Sequence, residues 1–536
     1  MMKNMWKLIT LVMGLFLSFQ CVSCSDKSDD DLKTPIVNNR EEQTEEEKEE
    51  EPQITYYTDP KIYAGFFAYN MMSDVYLWKD EITLGLSKWK LNEDPIKKVK
   101  SLRYTENGTE VDKWTMLTND YESFIGSVDG VVTTTYGFDF QLYYKDETHT
   151  TLVAVVLFTY PGSPAEKAGL KRGDAIFTVN GKDITVNNYA DLLFYSSKGE
   201  FALLNDTNDG FDYITMTAVN MYENPVLMSK VFDCGGKKVG YLAYISFTID
   251  SCEDLIAVAK DFKEQGVTEL ILDFRYNGGG YVVTENLLAS LLAPQDAVQN
   301  NEVYQTEIWN KEYMDYYKKH NEDLNTYFQT KYNFQHNGKK YTFDISGDNI
   351  GINKIYALVS ASSASASEAI LVGLKPYMDI QIIGEQTHGK YCTGWMISAT
   401  DWFDSYKDLF KKGADYDEYE KWETYAKNWG IYIMICRYAD KNGNCPCMPN
   451  GFTPDIEVMD KPEEPYNLGD DREALLRVAL TQAGYTDFTP VDSVPASRMA
   501  VQKFGASLEH TSRNPLDGKR IMIGNVKNQR PLIPLK

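Results

Sequence analysis

The sequence predicts a multidomain α/β protein, and three observations carry that expectation. At roughly 100–200 residues per unit, a 536-residue chain holds three or four of them. A helical apolar stripe near the start gives way to strand-like runs rich in β-branched and aromatic residues. From about residue 228 to 462, apolar strand runs then alternate with helical stretches, the pattern of a largely parallel sheet covered on both faces. With 43% hydrophobic and 25% charged residues the composition is globular, which excludes wholesale disorder and collagen-like or coiled-coil rods.

The first element is an address. Lys3 and Lys7 precede the apolar stretch LITLVMGLFLSF, a secretory signal over residues 1–23 that is too short for the ~20 residues of a membrane-spanning helix. Val22-Ser23-Cys24 looks like a lipoprotein cleavage site, with Cys24 as the lipidated residue and Cys21 a weaker candidate. Residues 24–53 form an acidic linker with almost nothing apolar to bury; residues 25–52 alone hold 12 Asp/Glu against 4 Lys/Arg. This run resembles the export signal of surface lipoproteins in Bacteroidetes-type bacteria. That resemblance implies an exported chain, lipid-anchored to the bacterial outer membrane. The net charge of −24, from 54 basic and 78 acidic residues, argues against a nucleic-acid partner. Five histidines leave few metal ligands, and no metal or cofactor is expected.

Residues 54–130 carry Phe67, Met71, Val75 and Trp78 at helical spacing, a core stripe of a small N-terminal helical domain. Residues 131–227 begin with the strand runs YGFDFQLYY and TLVAVVLFTY. Pro164 then opens a short helix where its missing N–H costs nothing, Gly169 stops it, and Val179-Asn180-Gly181-Lys182 signals a hairpin. This region resembles a PDZ domain. The resemblance makes the Tyr136, Gly137 and Phe138 segment the loop that captures a peptide carboxylate, with the peptide added as a strand. Residues 228–462 are the alternating core, in which 300–350 and 401–430 look like insertions, and 463–536 hold one helix and a polar tail. Six further cysteines allow 15 pairings; Cys392 and Cys436 lie in strand-like segments where a cross-strand pair would fit.

Three motifs carry chemistry. Ser362 to Ile370, SSASASEAI, joins the strand IYALVS to the helix AILVGL. Small residues at such a turn admit a substrate closely, and free N–H groups at the helix start favour developing negative charge. Gly384 to Lys390, GEQTHGK, begins like a phosphate-binding loop, but Tyr391 replaces the Ser or Thr and a strand follows instead of a helix. Leu272 to Gly280, LDFRYNGGG, runs a strand into a glycine triplet that permits positive φ and exposes backbone N–H groups.

Together with VGYLAYISF and Gly451-Phe452-Thr453-Pro454-Asp455, these motifs make the chain resemble the C-terminal processing (tail-specific) serine peptidases, over about 130–460. That family places a PDZ domain before a crotonase-like α/β core. By resemblance Ser365 is the nucleophile and Lys390, 25 residues on, the base; Ala366 and Gly279 supply the oxyanion N–H groups. Glu368 takes a supporting role. A lysine base must be neutral, so burial has to lower its pKa from about 10.4 toward ~7–8, with AILVGL and IQII as walls. Two departures stand out. Gly394 replaces a glutamine that orients the lysine in many relatives, and His388, on the lysine's face of a predicted strand, either lines the substrate cleft or competes as base. The implied function is an endopeptidase that recognises protein C-terminal tails and cleaves by acyl transfer. The alternative is an inactive surface lipoprotein that binds peptides or apolar ligands.

Overall fold

The structure, a computed structural model, describes residues 59–128, 133–145, 147–404, 424–464 and 466–491, together with 508, 522 and 523. The leader, Cys24 and the acidic run lie outside the described residues. Among those described, no helix is long and apolar enough to cross a membrane.

Helix α1 (Pro60–Asp74) starts where the Asp59 carboxylate accepts the Lys61 N–H and Pro60 fills the first turn. Its Phe67 and Met71, with Val75 just beyond, are buried in the same core as the central sheet, not in one of their own. Strand β1 (Met116–Thr118) leads from this region toward that sheet system.

The next region is a sheet in the order β7-β6-β4-β3-β2, all pairs antiparallel. Its strands are β2 (Phe138–Tyr144), β3 (Leu152–Thr159), β4 (Ala175–Val179), β5 (Lys182–Asp183), β6 (Lys198–Leu204) and β7 (Phe211–Thr217). The β4–β5 hairpin turns on Asn180 (φ 53°) and Gly181 (φ 69°), both left-handed as a two-residue type I′ turn requires. Helix α2 (Pro164–Lys167) follows the Ser163 cap, and α3 (Tyr189–Leu193) closes the small core. Strand β2 is an edge of this sheet.

The central sheet runs β8 (Val226–Cys234), β9 (Lys237–Tyr244), β10 (Glu269–Asp273), β14 (Lys354–Val359), β15 (Asp379–Gly384) and β18 (Ile456–Glu457). Every pair after the β8–β9 hairpin is parallel. Alternate residues feed two cores: Leu270, Leu272, Ile355 and Ala357 face one, Ile271, Tyr356 and Leu358 the other. Helices α4 (Cys252–Glu264), α5 (Val282–Leu292) and α6 (Ala366–Leu374) cover the first face; α7 (Ala474–Ala483) covers the second. The continuous apolar runs in the sequence reflect strands buried on both sides.

A further sheet runs β11 (Gly280–Tyr281), β19 (Met522–Ile523), β16 (Cys392–Ser398), β17 (Gly430–Ala439), β12 (Val303–Trp309) and β13 (Asn325–Tyr327), with β1 also paired to β17. Of residues 300–350, β12 and β13 belong to this sheet, with β12 antiparallel to β17, whereas 331–344 form a separate hairpin. Cys392 and Cys436 do not bridge: the register sets Cys392 against Arg437 and Thr393 against Cys436, and neither is in a disulfide.

A buried charge cluster fixes the end of β10. The Arg275 guanidinium donates to Asp273 at 2.8 and 2.9 Å, to Glu473 at 2.6 and 2.9 Å and to Asp460 at 2.9 Å. Arg172, from the β-rich region, reaches the same Asp460 at 2.6 Å, and the Tyr276 hydroxyl also donates to it. Burial pushes the Asp460 carboxyl up, but Arg172 and Arg275 outweigh it and hold the group at about 2. Arg275→Ala leaves buried carboxylates without their cation, so a loss of about 3–5 kcal/mol is expected in urea unfolding. The share owed to Asp460 is complete above its unfolded pKa of about 3.9 and is lost as pH falls toward 2. The gap between variant and parent should therefore narrow in that window; equal midpoints at pH 7 would refute the assignment.

Candidate active site

Ser365 sits where β14 turns into α6. Its neighbours are stitched to the segment leading into the glycine triplet: the Ser363 hydroxyl donates to the Phe274 carbonyl at 2.8 Å, and the Ala364 N–H and Ser367 hydroxyl donate to the Asn277 carbonyl at 3.1 and 2.9 Å. Ser365 itself has φ 63° and ψ −115°, a backbone state that costs a non-glycine residue of order 1–3 kcal/mol. The surrounding bonds hold it there. Its hydroxyl is buried and has no hydrogen-bond partner among the described residues. The Ala366 N–H, first of the helix, likewise has no acceptor among them, so two unengaged polar groups meet at one helix start.

Glu368, one turn into α6, joins this serine to the lysine. Its buried carboxylate accepts the N–H groups of Ser365 (3.0 Å), Gly389 (2.7 Å) and Lys390 (2.8 Å) and the Thr387 hydroxyl (2.5 Å). Burial raises its pKa to about 7, against the pull of those four donors.

The Lys390 amine is fully buried and donates to the Tyr432 hydroxyl at 2.7 Å. It lies 5.6 Å from the centre of the Trp114 ring and 5.0 Å from that of Tyr432. Desolvation lowers its pKa to about 7, against the opposing influence of Cys392, Asp112 and Glu368. The aromatic walls thus come from the N-terminal region and β17, not from AILVGL and IQII as the sequence suggested. Asp112 fixes Trp114 in place, accepting the N–H groups of Trp114 (2.9 Å) and Thr115 (3.0 Å) and the Tyr76 hydroxyl (2.7 Å). The amine engages Tyr432 while the Ser365 oxygen stays unpartnered, so the two are not hydrogen-bonded to each other.

Gly394 now has a physical reason. A Cβ there would lie 2.5 Å from the Tyr432 ring and from the Met434 methyl, so the tyrosine occupies the space a longer side chain would need. Residues 385–391 are not the strand expected: Gly389 has φ 85° and breaks the alternation. His388 nevertheless meets the lysine's surroundings, its ring edge-on to Trp114 with centroids 6.1 Å apart. The Gly279 N–H donates to the Asn277 side chain at 2.9 Å.

In the β-rich region Tyr136 and Phe138 are buried core residues, and the Gly137 N–H donates to the Thr135 hydroxyl at 2.9 Å. Gly137 has φ 78°, and a Cβ there would strike the Ser163 side chain, which places this loop hard against the start of α2. Trp114, Asp112 and Tyr432 were missed in the sequence. The only signal for Tyr432 was the alternation of GIYIMICRYA, which puts it on one strand face without saying what it touches.

Comparison with known proteins bears on this arrangement. Residues 238–458 match the model of peptidase family S41, and residues 159–200 match a PDZ domain model. The chain is 26% identical over 242 residues to the carboxy-terminal processing protease CtpB of Bacillus subtilis, covering 44% of each chain. It is 24% identical over 245 residues to a carboxyl-terminal-processing protease of Picosynechococcus, covering 44% of this chain and 51% of the other. It thus spans about half the length of the curated relatives it matches. The crystal structure of a putative S41 protease from Bacteroides fragilis superposes with a TM-score of 0.57 at 23% identity, covering 81% of this chain and all of that one, and shows the same fold. Residues 238–458 are thus similar to the core of peptidase family S41 and residues 159–200 to a PDZ domain, on a fold shared with the solved relative.

Proposed function

We propose that this chain is a serine endopeptidase acting on polypeptides with free carboxyl termini, held by its PDZ domain and exported on a Cys24 lipid anchor. The observation that carries the reading is the pairing of a buried, unpartnered Ser365 hydroxyl at a helix start with a buried amine whose pKa is about 7. In this reading the neutral Lys390 amine leaves Tyr432 and takes the Ser365 proton as Oγ attacks the scissile carbonyl. The Ala366 N–H meets the oxyanion. The lysine returns the proton to the leaving amine, and water, deprotonated by the same amine, releases the acyl group from Ser365. Glu368 and Tyr432 are positioning residues: one sets the serine turn and the lysine loop, the other holds the amine. The observed Lys390–Tyr432 bond in place of a Lys390–Ser365 bond favours the second reading, a peptide-binding lipoprotein without catalysis.

Ser365→Ala tests the two. Cleavage of an unfolded polypeptide should fall at least about a thousandfold; equal cleavage by both chains would remove Ser365 from the mechanism, and absent cleavage by both selects the binder.

The amine accepts a proton only when neutral, so kcat/KM should rise as pH climbs through about 7 and level off above it. Glu368 titrates in the same window, and its charged form is the one that accepts the four donors. The rise should therefore persist in Glu368→Gln; its disappearance there would assign it to the glutamate.

Tyr432→Phe keeps the ring against Gly394 and removes the oxygen. A loss of about tenfold in kcat, equivalent to ~1.4 kcal/mol, is expected with KM held. Because the hydroxyl accepts from the amine and so favours its charged form, the rise in the pH profile should move to lower pH. A purely structural role would leave the profile where it was.

A further inference from the structure

Beyond residue 491 the described residues of the tail are Leu508, Met522 and Ile523, and they meet the rest of the chain at two places where a substrate could lie. At the first, Leu508 packs on the PDZ core, its N–H donates to the Leu142 carbonyl at 2.8 Å, and its carbonyl accepts the Gln141 side chain at 3.1 Å. Leu142 belongs to β2, the edge strand that runs out of the Tyr136–Phe138 loop. At the second, β19 lies between β11 and β16 and pairs parallel with both: Met522 with Gly280, and Ile523 with Tyr281 and with Gly394. Gly280 ends the glycine triplet that is stitched to the Ser365 turn, and Gly394 lies four residues beyond Lys390. The slot between β11 and β16 is thus flanked by one strand that follows the segment bonded to the serine turn and one that begins two residues after Lys390.

A strand edge presents unpaired N–H and C=O groups that any extended chain can satisfy, and strand addition is the usual way such an edge takes a peptide. Two edges are closed here by the same tail. Its sequence suits such pairing, because the apolar residues Leu508, Met522 and Ile523 fall at the two contacts. Between them runs EHTSRNPLDGKR, polar apart from Leu516.

We propose that the C-terminal segment is an intramolecular competitor: it occupies the PDZ edge at Leu508 and the strand slot at Met522–Ile523, and a polypeptide substrate must displace it from both. The inference rests on the peptidase reading for its kinetic consequence but not for the docking itself. A tail that fills the slot nine-tenths of the time raises the apparent KM about tenfold and leaves kcat alone.

The test uses the full chain. Leu508→Asp with Ile523→Pro, which removes an apolar contact at one site and a backbone donor at the other, should lower KM for a reporter polypeptide about tenfold with kcat unchanged. A synthetic peptide of residues 505–525 should then inhibit the variant competitively. In the Ser365→Ala background, where nothing is cleaved, hydrogen exchange should find the amides of Leu508 and Ile523 protected. In the same background the Leu508→Asp/Ile523→Pro chain should lose protection at 508 while the amides of β14 stay protected, which reports an intact fold. Equal KM in parent and variant, or tail amides that exchange freely in Ser365→Ala, would overturn the proposal. So would self-cleavage that trims the tail in the parent alone, since the tail would then be a substrate. Protected tail amides in a chain that cleaves nothing would uphold the docking and remove the peptidase reading instead.

Discussion

The Glu368 carboxylate is the joint on which the site depends. Three backbone N–H groups and a hydroxyl converge on it, one from the serine turn and three from the loop that ends at Lys390. Each donor is buried, so parting the two segments would strand polar groups away from water, at about 1–3 kcal/mol apiece. The same convergence stabilises a backbone state at Ser365 that a free chain would avoid, and aims the first helical N–H of α6 at the space beside the hydroxyl. Burying a carboxylate is costly, and its raised pKa records that cost.

The second constraint is dryness. Desolvation brings the pKa of an amine toward neutrality, and the Lys390 pocket is walled by two rings from parts of the chain far apart in sequence. Trp114 is held by the Asp112 turn, and the Thr115 hydroxyl accepts the Met434 N–H of β17. The N-terminal segment is thereby tied to the strand that carries Tyr432. It has no core of its own because it serves as one wall of this pocket.

Much of this is legible in the residues. Parallel strands buried on both faces leave unbroken apolar runs such as IYALV, and Asn180-Gly181 names its turn because few residues tolerate positive φ. The serine and lysine motifs are picked out by their resemblance to a known peptidase family. What stays hidden depends on tertiary contact. Nothing around Trp114 or Tyr432 says that the two rings will close over one amine more than 250 residues from the first of them. Gly389 makes a loop of what reads as alternation, so a shared strand face for His388 and Lys390 is a geometry that does not exist. Gly279 invites the role of N–H donor because it is a glycine; only the folded chain reveals that it donates to the Asn277 side chain.

The close approach of Tyr432 to Gly394 carries an evolutionary consequence. A ring and an empty position that share one volume form a single unit of inheritance: enlarging residue 394 demands shrinking residue 432, and neither can drift while the other stands still. Lineages of this fold should therefore divide into two pockets, one steadying the amine from β16 and one from β17. Intermediates between them would have either two side chains in one space or none to hold the nitrogen.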